Sequence, residues 1–167
     1  MAEWLPERLP EDPEAERSLL ATCCAPGAED LAAQIVFQLG DEDFVHPANR
    51  AVFRALRELL ERRLEVNALT LKDTLELSGD LARVGDYAGL LELLSAEEVG
   101  RPQVLADLLT RKRKQRQIIR LGARLVRQAS EEEAPPEALV EEAAADMFRL
   151  AQDRSQRGLE PLAEVAQ

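Results

Sequence analysis

The run RKRKQRQIIR, residues 111 to 120, crowds Arg111, Lys112, Arg113, Lys114 and Arg116 into one short stretch of a chain whose net charge is −11. Cations at this density suit a grip on phosphate, and a helix face built from them could touch nucleic acid; they equally suit pairing with an acidic neighbour. Binding single strands also wants aromatic stacking platforms, and no aromatic residue lies between Tyr87 and Phe148. Other reactive groups are sparse. Cys23 and Cys24 are sequence neighbours in an apolar run, poorly placed to bond each other, and His46 is the only histidine. They read as buried reduced thiols and as a helix-entry or packing residue, with no metal assigned to them. The 32 acidic residues form no paired-carboxylate pattern distinct from solvated helix faces. A phosphate-cradling G-x-x-x-x-G-K-[ST] loop needs glycine directly before lysine, and none of Lys72, Lys112 and Lys114 follows one. No catalytic, ATP-binding or cofactor-binding motif is found in these 167 residues.

The elements that position these residues are helices. Hydrophobic residues make up 46% but aromatics only 4%, and Leu, Ala, Glu and Arg dominate, which favours an all-α chain. No apolar run approaches the roughly 18 residues of a membrane span, and MAEWLPERLP lacks a signal peptide's layout; a soluble, cytoplasmic protein is expected. Residues 1–12 read as a flexible arm with Trp4 and Leu5 as its only anchors. Residues 13–100 predict a compact helical globular domain: a helix from Pro13 stopped by Pro26-Gly27, a second over Glu29–Leu39, and a third after His46-Pro47. A fourth fits Asn67–Ser78 with Thr70 as cap, and one short helix follows the glycines at 85 and 89.

Beyond Gly100 and Pro102 the character changes. Residues 101–155 predict a long antiparallel helical hairpin, turning at EEEAPPE, and residues 156–167 the start of a linker. Residues 1–100 hold 9 basic and 21 acidic groups, 101–130 hold 9 and 1, and 131–167 hold 3 and 10. A cationic outgoing helix therefore returns as an anionic one, which supports the pairing reading of the basic run. Leu105, Leu108, Leu109, Ile118, Ile119 and Leu125 on the first helix, with Leu139, Met147 and Phe148 on the second, form an apolar seam. Two helices alone cover little of such a seam, so completion by a second copy is expected.

Four segments resemble the DnaB-type bacterial replicative DNA helicases. PEAERSLLATC is similar to that family's opening, DEDFVHPANRAVFRAL to its D-F-x-x-x-x-H-x-x-I-F segment, LELSGDLARVGDYAGLLEL to its glycine-punctuated segment, and LADLLTRKRKQRQII to the start of its hairpin helix. The resemblance covers about residues 6 to 155, with Ala21 where the family favours Gly and Arg113, Lys114 and Gln115 where it favours small or apolar residues. It implies a noncatalytic N-terminal assembly and docking domain, paired as dimers and as a trimer of dimers in a hexameric collar. It also implies primase and, in some lineages, a helicase loader as partners, with single-stranded DNA reached only through the full ring. ATP and Mg would act in a motor domain that follows the linker and is absent from this chain. A reading from another class is a stand-alone helical nucleic-acid-binding or regulatory protein using the basic 111–127 face.

Overall fold

Proline, glycine and side-chain caps set where each helix starts and stops. The structure, a computed structural model, describes residues 7–131 and 134–156, with side chains described as far as residue 152. Over these residues the regular elements are helical and no strand occurs. α1 (Pro13–Cys23) has proline in its first turn, and the Asp12 carboxylate accepts from the Ala15 N–H at 3.0 Å. α2 (Glu29–Gln38) places Glu29 and Asp30 in its first turn, where negative charge suits the helix dipole. After a 3-10 turn (Asp41–Asp43), α3 (Pro47–Glu61) again starts on proline.

α4 (Ala68–Ser78) forms as expected, but its cap is Asn67 and not Thr70. The Asn67 side-chain oxygen accepts from the Leu69 and Thr70 N–H groups, both at 3.0 Å, while Thr70 Oγ1 accepts from the Asn67 N–H at 3.1 Å. Each residue thus satisfies a donor the other leaves open. The single short helix expected next is two, α5 (Leu81–Val84) and α6 (Asp86–Leu94). Left-handed backbone at Gly85 (φ 90°) and Asp86 (φ 59°) breaks the helix between them. Close approach constrains the next glycine: a Cβ on Gly89 would lie 2.1 Å from the Val84 carbonyl oxygen. Gly89→Ala is therefore expected to cost about 1–3 kcal/mol, seen as a lower urea midpoint at unchanged m-value.

Among the described residues two compact units result, residues 11–111 and residues 7–10 with 112–131 and 134–156. The first is centred on α3, which packs on α1, α2, α4 and α5. Val52, Phe53, Leu56 and Leu59 are its buried face, and Phe53 stacks on Phe44 with ring centroids 4.5 Å apart. Cys23 and Cys24 are free and buried in the same core, where burial pushes the Cys23 thiol up to about 12 and raises that of Cys24 as well. α7 (Pro102–Ser130) begins in this unit: Leu105, Ala106 and Leu109 belong to its core and Leu108 packs against it. That corrects the seam expected from sequence. Each of those buried leucines gains about 1.5–3 kcal/mol within its own chain, so Leu105 and Leu109 offer nothing to a partner.

Polar groups also lie deep in this unit, among them Glu16, Ser18, Asp43 and Asn49. Glu16 is 1% exposed, and its carboxylate accepts from the Val45 N–H (2.7 Å), the His46 N–H (3.3 Å) and the Asn49 amide (2.9 Å). It clamps the entry of α3 onto α1. Burial raises its pKa, and the three hydrogen bonds oppose that rise. His46 accordingly has the helix-entry role expected for it, through its backbone at the start of α3.

Candidate functional site

The second unit contains the rest of α7 and α8 (Pro136–Gln156), which starts on Pro136 after a bend at Ala134. Lys114 Nζ donates to the Leu150 carbonyl at 3.4 Å, and Arg124 reaches Glu142 (3.8 Å) and Asp146 on α8. As the α7 number rises the α8 partner's number falls, so the two helices form the antiparallel hairpin that the charge pattern predicted. Asp146 also pairs with Arg149 and is the acidic centre of the seam.

The inside of this hairpin is more polar than expected. Lys114, Gln117, Leu121, Arg124 and Gln128 recur at three and four residues and are buried or half-buried, as are Leu139, Ala143, Asp146 and Leu150 on α8. The side-chain oxygens of Gln117 and Gln128 are buried without a hydrogen-bond partner, each costing about 1–3 kcal/mol. Of the predicted seam beyond Leu109, Ile119, Leu125 and Leu139 are half-buried, whereas Ile118, Met147 and Phe148 point out. Ile118 is 52% exposed, Val126 46%, Val140 68%, Met147 52% and Phe148 63%.

Most of the outward residues, together with the half-buried Leu125, follow one rule. Ile118, Gly122, Leu125 and Ala129 each come one residue after an inward position of α7, and Val140, Ala144, Met147 and Ala151 each come one after an inward position of α8. A step of one residue turns about 100° around a right-handed helix. Two helices facing each other in opposite directions both turn that step to the same side of the pair. One side of the hairpin is therefore an apolar face, extended at its edge by Val126 and Phe148. Spacing showed that these residues are helical neighbours; it did not show that the helices meet along the adjacent stripe.

The basic run does not make one cationic surface. Arg113 and Arg116 are each 3% exposed, and Arg116 Nη1 donates to the Pro10 carbonyl at 2.8 Å. The end of the N-terminal arm is thereby held, which the sequence had assigned as loose. Lys114 is committed to α8, Lys112 is half-buried and Arg111 is exposed. Trp4, Leu5, residues 132–133 and the linker from 157 onward lie outside the described residues. Among the described residues no cluster of His, Cys, Asp or Glu could hold a metal ion, and no helix is long and apolar enough to cross a membrane.

Comparison with known proteins agrees with the helix order. The model of the DnaB-like helicase N terminal domain matches residues 8–102. A replicative DNA helicase DnaB of Mycobacterium leprae (strain TN) is 27% identical over 161 residues, covering 95% of this chain and 26% of its own length. One from Buchnera aphidicola subsp. Baizongia pistaciae (strain Bp) is 25% identical over 120 residues, 71% of this chain and 25% of its own length. The chain thus spans about a quarter of the length of the curated relatives it matches. Among solved structures, the crystal structure of the N-terminal domain of DnaB helicase from Mycobacterium tuberculosis superposes with a TM-score of 0.76 at 26% identity, over 85% of this chain and 99% of that one. With the family match spanning more than half of its residues, this all-α chain belongs to the DnaB-like helicase N-terminal domain family.

Proposed function

We propose that the chain is the assembly and docking part of a replicative DNA helicase, acting by binding and not by catalysis, in the cytoplasm. Its hairpin pairs with a second copy through the apolar face, and three such pairs complete a hexameric collar. The observation that carries this reading is the apolar face itself: five large side chains at 46–68% exposure on one side of a two-helix unit whose own interior is polar. A monomer gains little from such a face, whereas a twofold partner with the same stripe would cover it.

The globular unit is the platform on which primase docks, and in lineages that have one, a loader. ATP and Mg act in a motor that these residues do not include, and single-stranded DNA is engaged by the assembled ring. The docking role is tested by titrating the chain with primase from the same organism in a calorimeter. Saturable heat of binding is expected. Its absence, with both proteins folded, would remove the platform from the proposal.

A further inference from the structure

Arg124 stands between two carboxylates one turn apart on α8. Its guanidinium pairs with Asp146 and lies 3.8 Å from Glu142, and four residues along a helix rise by about 6 Å. The two acids differ in their surroundings. The Asp146 side chain is 16% exposed and also pairs with Arg149, whereas that of Glu142 is 46% exposed. Water therefore screens Asp146 less, and its hold on Arg124 is the stronger one.

The rest of the described seam is less particular about the level of α8. Leu139, Ala143 and Leu150 repeat apolar side chains turn after turn. Lys114 donates to a backbone carbonyl, that of Leu150, and α8 has another carbonyl one turn away. The side-chain oxygens of Gln117 and Gln128 have no hydrogen-bond partner to lose. A slide of α8 by one turn toward the start of α7 would thus spare these contacts and bring Glu142 level with Arg124. Slack for it is at hand: Ala129 and Ser130, at the end of α7, are exposed, so unwinding them takes little from the seam. One contact opposes the slide. It would carry Asp146 to the height of Leu121, a buried apolar side chain, where a carboxylate parted from its cation is costly.

We propose that Asp146 sets the level of α8 along α7, and that Glu142 marks an alternative level one turn away which the Asp146 carboxylate forbids. Fixing register is the best-attested use of a charged pair inside a helical packing, and one-turn ratchets are a known form of helix displacement. The level also decides which apolar residues of the two helices stand side by side on the outer face.

The test is intramolecular disulfide trapping, read as a chain-sized species protected from thiol alkylation. The Lys114 and Arg124 contacts put Gln117 level with Leu150, and Leu121 more than one turn away from Leu139. With Asp146 intact, Gln117→Cys with Leu150→Cys should close, and Leu121→Cys with Leu139→Cys should stay open. Adding Asp146→Asn should close the second pair at the expense of the first, whereas adding Glu142→Gln should change neither. Cys23 and Cys24 are buried with raised thiol pKa values and do not compete. Failure of the first pair, or closure of the second, with Asp146 intact would overturn the proposal. So would a second pair that stays open in Asp146→Asn, whether circular dichroism shows the hairpin kept or lost, and so would a shift caused by Glu142→Gln.

Discussion

Replacing Glu16 by alanine should destabilise the chain by about 3–4 kcal/mol. The substitution leaves the Val45 and His46 N–H groups and the Asn49 amide without their acceptor at the start of α3, the helix around which the globular unit is packed. A thermal midpoint lower by about 10 °C is the corresponding readout. Glu16→Gln keeps the shape but turns an amide donor toward donors, and should cost about 1–3 kcal/mol. The two variants also differ from wild type in pH dependence. Burial raises the folded-state pKa of Glu16 above its ordinary 4.5, so between the unfolded and folded values the native chain binds more protons than the unfolded one. In that window wild-type stability falls as pH rises, and above the folded pKa the loss is complete and constant. The stability difference between wild type and Glu16→Gln, measured by urea unfolding across the acid range, should therefore shrink as pH rises from 4.5 and then level off. A difference that grows with pH would show that the hydrogen bonds outweigh burial.

The second large effect is expected on the hairpin. Met147→Glu with Phe148→Glu places one charge within the apolar face and one at its edge, where both native side chains are more than half exposed. Folding of a single copy should be little affected, because surface substitutions of this kind change stability by about 0.5 kcal/mol or less. Pairing should weaken by at least about 100-fold, since charges buried at an interface core without partners cost 2–5 kcal/mol. Circular dichroism checks the first expectation and sedimentation velocity the second. Loss of pairing with full helicity separates a role in assembly from a role in folding.

The helices were largely legible because their boundaries are local chemistry. Pro13, Pro47, Pro102 and Pro136 open helices, and Gly79 closes one. Local pattern fails where two residues compete for one role, as Asn67 and Thr70 do at α4, or where a glycine both breaks and permits helix, as at Gly85 and Gly89. Partners were harder to read than elements. Leu105 and Leu109 share helical spacing with Ile118, and nothing in that spacing says that the first two face the globular core and the third faces out. Likewise the seam of the hairpin runs through Gln117, Arg124 and Asp146, one residue away from the greasier stripe that hydrophobicity alone would choose. Arg124, beyond the basic run, pairs with acidic groups on α8, whereas Lys114 within the run meets a backbone carbonyl, and the burial of Arg113 and Arg116 has no local signature. Glu16 did have one: it lies three and four residues before Leu19 and Leu20, on the inward face of α1, where a carboxylate must find donors.

Sedimentation equilibrium of the unmodified chain at tens of micromolar most directly tests whether a second copy covers the hairpin face. The expected mass is twice the 18.6 kDa of one chain, falling toward 18.6 kDa on dilution. A mass that stays at 18.6 kDa over the whole range would contradict it.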